Sequence, residues 1–272
     1  MDSMKYLPLA FVLFLFFLAT PAYSQISNSD DFNFQRAYAD YIYNFDIYRK
    51  ANIDYELYRS QYLQFKTLKS QENAYNATLT MLKARDSTVE TYLTAIRKKL
   101  DETPGADGAK KQILFTKIDP EVTWHIAHSD SLPSAGTLED LTGDSDAAKV
   151  RFQSDVPLFY ETLVAVSGGK VIYAREKEEA ILTSLKEKIA EISANGDKNT
   201  QLIERWILDT EEKIVRSKEK EAEAYSIVAK ASGQGSLGAY NEALIKLKEA
   251  YQYLKEANSF LEEIITEVKF ED

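Results

Sequence analysis

The chain's two histidines, His125 and His128, lie three positions apart, so on a helix their side chains share one face. Two imidazoles and a nearby carboxylate can hold a transition-metal ion, and Asp119, Glu121 and Asp130 are close in sequence. The spacing differs from that of the HExxH motif of zinc metalloproteases. We therefore expect a helix-end or surface role for the pair, with no metal and no other cofactor. Metal binding by the two histidines is the alternative.

A second group of residues that could carry function is the aromatic stretch from Phe34 to Phe65, in which an aromatic residue recurs every seven positions. Tyrosine rings stack on sugars and give rigid contact area at protein interfaces. A heptad-spaced stripe is also typical of a bundle core, but Tyr43 and Leu57 lie off this stripe, so more than one face is apolar. The binding hypothesis comprises Tyr38, Tyr41, Tyr43, Tyr48, Tyr55, Leu57, Tyr58 and Tyr62.

Four polar residues, Asn52, Arg59, Glu72 and Asp86, fall on or beside positions of the predicted apolar seams. Polar groups at such positions commonly fix helix register and oligomeric state at some cost in stability. We expect that role for them, and the alternative is that they line a site.

Composition excludes several classes of function. The chain has 44% hydrophobic and 28% charged residues and a formal net charge of -10, with basic residues interspersed among acidic ones. Binding to nucleic acid needs clustered basic residues, so we expect no nucleic-acid partner. The absence of cysteine excludes disulfides, thiolate metal sites and a cysteine nucleophile.

The first 24 residues have the pattern of a signal peptide. The apolar run from Leu7 to Ala19 is shorter than the ~20 residues that a membrane-spanning helix needs, and small residues follow it. We therefore expect cleavage after a signal peptide of residues 1–24, no membrane span in the mature protein, and a periplasmic, cell-envelope or extracellular location. An uncleaved signal anchor is the alternative. Residues 25–30 form a short polar lead.

The elements that must position these residues are helices. No glycine or proline interrupts the segment 31–103, whose apolar residues keep a three-four spacing, and this predicts one very long aromatic-rich helix. The alternative is a break near Lys69 to Asn73. Residues 104–143 contain several prolines and glycines and predict an irregular segment with two short helices and breaks after Asp119 and Leu132.

Residues 144–272 predict further helices that complete the bundle. Asp144 and Ser145 are candidate caps, Pro157 and the pair Gly168–Gly169 are candidate kinks or hinges, and Thr137 with Asp140 resembles a helix-capping arrangement. Short turns between long helices imply antiparallel neighbours. The fold class we predict is an all-α, elongated antiparallel helical bundle with coiled-coil-like seams.

A signal peptide followed by Asp31 to Tyr38, Lys83 to Asp86 and Tyr92–Leu93 resembles uncharacterised exported helical proteins of candidate-phylum, Patescibacteria-type bacteria. The resemblance covers mainly residues 1–100. It implies export and helical structure and carries no activity with it.

These observations favour a structural or protein-interaction bundle, with a protein partner or self-association, and no enzyme activity. One alternative is a soluble receptor that binds a glycan or apolar ligand through the tyrosine-rich helix. The other is a metal-dependent enzyme that uses His125 and His128.

Overall fold

A computed structural model describes residues 32–195, 201–231 and 235–270 of the chain. In these ranges the protein is an all-α helical bundle without strands, which confirms the all-α bundle predicted from the sequence. The expected signal peptide (1–24) and polar lead (25–30) lie outside the described residues. The helices are α1 (Phe34–Phe65), α2 (Leu68–Asp101), α3 (Gly108–Ser131), α4 (Leu138–Asn195), α5 (Gln201–Ala229) and α6 (Ser236–Phe270), with a 3-10 turn at Leu132–Ser134.

The segment 31–103, expected to be one helix, is two helices joined by a tight turn. Lys66 adopts a left-handed conformation (φ 47°) and donates its N–H to the carbonyl of Tyr62 at 2.9 Å. Thr67 caps α2, because its hydroxyl accepts the N–H of Ser70 at 3.1 Å. The turn lies a few residues before the alternative break near Lys69 to Asn73. Its position escapes sequence patterns because its left-handed residue is a lysine instead of glycine, and the Thr67–Ser70 capping box lacks the usual Glu or Gln.

The turn folds α1 back along α2, and the two helices are antiparallel. The backbone N–H of Phe34 donates to Glu102 Oε1 at 2.7 Å at one end. Further along, the Tyr41 and Tyr92 rings meet edge to face at 5.2 Å, and Thr88 Oγ1 donates to the carbonyl of Asn44 at 3.1 Å. The aromatic stripe of α1 therefore faces α2.

Residues 104–143 are more regular than expected. Most of them form the 24-residue helix α3, capped by the Asp107 carboxylate, which accepts the Lys110 N–H at 2.8 Å. Pro120 lies inside α3, where a break was expected. Ile118 and His125, on either side of it, are buried against neighbouring helices. Their burial offsets the backbone hydrogen bond that Pro120 removes.

Helix α4 begins at Leu138, earlier than the expected cap at Asp144. Thr137 and Asp140 confirm the predicted capping arrangement, since the Asp140 N–H donates to Thr137 Oγ1 at 3.1 Å and the Thr137 N–H donates to Asp140 Oδ2 at 2.8 Å. This reciprocal pair fixes the start of the longest helix, which runs for 58 residues.

No break occurs in α4 at either expected hinge. The helix passes through Pro157, next to the buried Phe159, and through Gly168–Gly169. The two glycines serve close packing: a Cβ at Gly168 would overlap the hydroxyl of Tyr225 on α5, and one at Gly169 would lie 2.7 Å from Thr103 Cγ2. Because glycine has no side chain, α5 and the segment around Thr103 can approach α4 closely at these two positions.

Two clusters of buried apolar residues contribute to the core of the described chain. One joins α1, α2, the 3-10 turn and the start of α4, and its buried members are Ala51, Met81, Leu82, Ala84, Leu132 and Leu141. The other joins the end of α4 to α5 and α6 through Leu182, Ile189, Ile203, Ile207, Ile214, Ala257, Leu261 and Ile264. Helix α4 contributes to both clusters and holds the two ends of the bundle together.

Candidate functional site

The two histidines lie on α3 and converge on one carboxylate of α2. His125 Nδ1 is 2.9 Å from Asp86 Oδ1, and His128 Nδ1 is 2.7 Å from Asp86 Oδ2. Each carboxylate oxygen thus accepts one imidazole N–H. Asp86 and His125 are both about 1% exposed. We call Asp86, His125, His128 and Asp155 the buried carboxylate–histidine cluster.

Local structure explains why these side chains meet. The three-residue spacing places both imidazoles on the same face of α3. Helix α3 is antiparallel to α2, because Lys111 Nζ donates to the Asp101 carbonyl at 2.8 Å and Arg97 pairs with Asp119 at 2.6 Å. Continuing along the two helices brings this face opposite Asp86.

A second carboxylate approaches from α4. Asp155 Oδ2 lies 3.6 Å from His125 Nε2, and both atoms are buried without a hydrogen-bond partner within the described residues. His128 Nε2 is likewise buried without a hydrogen-bond partner within the described residues. His125 therefore lies between Asp86 and Asp155, and its protonated form balances part of their buried negative charge.

The protonation of His125 follows from these neighbours. Burial by itself lowers the pKa of His125, but the nearby Asp155 carboxylate, together with the hydrogen bond and negative charge of Asp86, outweighs it. The net shift of the pKa is upward from 6.5. Its cationic form is thus favoured in the folded protein.

Trp124 and Arg151 cover the cluster on its outer side. The Trp124 ring stacks on that of His128 at 4.7 Å, with 10° between the planes. The Arg151 guanidinium lies 5.4 Å from the Trp124 ring centre and binds both carboxylate oxygens of Glu121. Burial, followed by the nearby Asp155, raises the pKa of Glu121 in spite of Arg151. The stacking contact fixes the orientation of the His128 ring.

The structure does not bring together the residues that would form the metal site suggested by the sequence. Both Nδ1 atoms are directed at Asp86, while Asp119 pairs with Arg97 and Glu121 pairs with Arg151. Across the described ranges, no group of three or more His, Asp or Glu side chains has the geometry to hold a metal ion. What the cluster can do chemically is share protons and hold α2, α3 and α4 in register.

Asp86 is the one seam residue from the sequence analysis that enters this cluster. Glu72, its counterpart at another seam position, is exposed and pairs with Lys69 at 3.0 Å. Asp155 and Trp124 were not identified from sequence. Asp155 lies 30 residues beyond His125 in the sequence and on another helix, so no local signal points from it to the histidines.

Beside the cluster lies an open surface groove of about 540 Å³, lined by Trp124, Asp146, Ala147, Val150, Arg151 and Ser154. A second depression, of about 270 Å³, lies between α1 and α2 and includes Tyr58 with Asp54 and Asn73. The first volume falls in the range of small-molecule sites, ~300–1,000 Å³, and the second falls below it. Val150 is exposed, so the first groove is a surface feature.

The tyrosine-rich helix divides into an inner and an outer surface. Tyr41 is buried, and its burial raises its pKa to about 12. Five further residues of the binding hypothesis are half-buried: Tyr38, Tyr48, Tyr55, Tyr58 and Tyr62. Tyr43 and Leu57 are exposed, at 68% and 49%. The heptad stripe therefore belongs mainly to the packed side of α1.

The outer face of α1, which we define as Tyr43, Ile47, Ile53 and Leu57, is exposed at all four positions. At ~100° per residue these side chains fall within about a third of the helix circumference. Helix α1 packs principally against α2 and buries only Ala37, Tyr41 and Ala51 of its 32 residues. A large apolar surface of this helix is thus left uncovered by the described chain.

None of the described helices is both long and apolar enough to cross a membrane. Comparison of the chain with known protein families, curated proteins and solved structures finds no match.

Proposed function

We propose that this protein is an exported helical bundle that acts by binding protein, and that the outer face of α1 is its contact surface. The observation that carries this proposal is a 32-residue helix with one principal neighbour and four large apolar side chains directed outward. Large apolar side chains grouped on one exposed face are typical of interaction sites in folded proteins.

The chemistry of the outer face is that of an interface. Tyrosine and aliphatic side chains supply the contact area, and Lys50 and Asp54 lie between Ile47 and Leu57 along the same side of the helix. Neither charged residue makes an ion pair within the described ranges. Charges placed among apolar residues give specificity and orientation to a contact more than affinity.

The carboxylate–histidine cluster has a stabilising role in this proposal. Both Nδ1 atoms are taken up by Asp86, and the cluster is buried among α2, α3 and α4. It positions the helix, α2, on which α1 rests. The proposed place of action is the periplasm, the cell envelope or the extracellular space, supported by the signal-peptide pattern of residues 1–24.

Photo-cross-linking tests the contact surface. Tyr43 is replaced by the photoreactive residue benzoylphenylalanine, and the cells that express the chain are irradiated. Tyr251 on α6, which is 47% exposed, serves as the matched control position. We expect protein adducts from position 43 and few from position 251. Equal yields at both positions, or none at position 43, would contradict the proposal.

A further inference from the structure

The outer face of α1 is self-complementary when two copies of it are laid antiparallel. Pairing residues symmetrically about Asn52 brings Lys50 of one copy opposite Asp54 of the other, and Ile47 opposite Leu57. Two-fold symmetry repeats each of these pairs, so the arrangement contains two Lys50–Asp54 contacts and two Ile47–Leu57 contacts.

The geometry of the helix permits this register. Taking Tyr43 as the direction of the outer face, Lys50 and Asp54 lie about 20° to either side of it, at ~100° per residue. Lys50 lies at the middle of the outer face, and Asp54 lies about 40° from it, where it also lines the depression between α1 and α2. Lys50 and Asp54 make no ion pair within the described chain, so their heads can reach the second copy.

The alternative, parallel two-fold pairing fits poorly. It would place Lys50 against Lys50 and Asp54 against Asp54 at the centre of the contact, and like charges across an interface oppose association. The antiparallel register instead puts no two like charges opposite each other between Asp40 and Gln64. Charge complementarity therefore selects both the partner and its orientation.

We propose that the outer face of α1 binds the same face of a second copy of this chain, antiparallel, in the register that pairs Lys50 with Asp54. This inference rests on the proposed function, since it names the partner of the same surface. The dimer is held by the apolar side chains and oriented by the two ion pairs.

Charge reversal tests the register by sedimentation equilibrium. Lys50→Asp places a new carboxylate against Asp54 of the second copy, and Asp54→Lys places a new ammonium group against Lys50. Each variant alone should therefore raise the dimer dissociation constant by on the order of tenfold. In a mixture of the two variants, one chain is acidic at both positions and the other is basic at both. The mixture should regain wild-type association as a heterodimer.

The control is Lys188→Glu combined with Glu191→Lys, which reverses an exposed pair on α4 at 3.0 Å. Its association should equal that of the wild type. A wild type that stays monomeric, single reversals without effect, or a mixture that fails to associate would each overturn the register. Cross-linking from position 43 to a different protein would retain the proposed function while removing the second copy as partner.

Discussion

Replacing Asp86 with asparagine tests how the buried cluster holds the bundle together. The carboxylate accepts an N–H from His125 at 2.9 Å and one from His128 at 2.7 Å. An asparagine of the same shape keeps one acceptor oxygen and replaces the other by an NH₂ group, which cannot accept. One imidazole N–H is then left without a partner, and the charge that stabilises protonated His125 is removed.

The magnitude follows from burial. Asp86 and His125 are each about 1% exposed, so water cannot replace the lost bond. Removing one partner from a buried charged pair costs about 3–5 kcal/mol. In a chain of this size, that loss corresponds to a fall in melting temperature of about 10 °C.

The assay is urea unfolding followed by circular dichroism. Tryptophan fluorescence in a Trp206→Phe background is a second probe, because the remaining Trp124 ring stacks on that of His128 at 4.7 Å. The control is Glu72→Gln, an acid-to-amide change on the same helix at an exposed residue that pairs with Lys69. A surface pair of this kind is worth about 1 kcal/mol or less. Equal effects of the two substitutions would refute the stabilising role given to the cluster.

Three further predictions concern titration and packing. Because the folded pKa of His125 is raised above 6.5, its stabilising contribution should be present in full below pH 6.5 and disappear as the pH rises through the folded pKa, as pH-dependent unfolding measures. Burial raises the pKa of Glu178 to about 7, so its ionisation destabilises the fold at higher pH, and Glu178→Gln should raise the melting temperature at about pH 8 but not at about pH 4. Gly105→Ala should destabilise the fold by roughly 3 kcal/mol or more, because φ is +71° and the added Cβ would overlap Gly169, whereas Gly108→Ala, with nothing within 4 Å, should be nearly neutral.

Each of these has an outcome that contradicts it. Stability that is flat between about pH 6 and 9, or unchanged in its pH dependence by His125→Asn, would remove the titration assigned to His125. A Glu178→Gln variant that melts like the wild type at about pH 8 would show that its carboxylate is well solvated. Equal melting temperatures for the two glycine variants would contradict the close approach of Gly105 to α4.

The fold class was predictable because periodicity is a local property. Apolar residues at three-four spacing recur through α1, α2, α5 and α6, and the Thr137–Asp140 cap is readable from two residues. A break between α1 and α2 is the alternative that the sequence predicts near Lys69 to Asn73, but its place at Lys66 and Thr67 is not readable locally, since Lys66 adopts a left-handed conformation without being glycine. The cost of this left-handed conformation is offset when α1 packs along α2. That packing joins residues far apart in sequence, so local patterns do not reveal it.

Helices α3 and α4 also continue through proline and glycine residues at which the sequence predicts breaks or hinges. Pro120 and Pro157 each remove one backbone hydrogen bond, but both are followed within a few residues by buried side chains that hold the helix. The sequence predicts a hinge at Gly168 and Gly169, whereas in the structure these glycines leave room for Tyr225 and Thr103. The sequence shows that proline and glycine destabilise a helix locally, but it does not show the packing against other helices that outweighs this cost.

The candidate sites also differ in how far local sequence reveals them. Tyr43 and Leu57 were singled out by their phase on one helix, and they are exposed. His125 and His128 were singled out by their spacing, but their partner Asp86 is 39 residues away from His125. A side chain on another helix leaves no signal in the spacing, so the sequence points instead to the nearby acids Asp119 and Glu121, which pair with Arg97 and Arg151.

The most direct test of the proposed contact uses the absence of cysteine from the chain. Ile47→Cys and Leu57→Cys are prepared separately, so any thiol cross-link must join two copies. In the antiparallel register, positions 47 and 57 are opposite, whereas like positions are about 15 Å apart along the helix at ~1.5 Å per residue. A short bismaleimide should therefore give abundant dimer in the mixture and little with either variant alone. No dimer in the mixture, or equal yields in all three samples, would contradict the account.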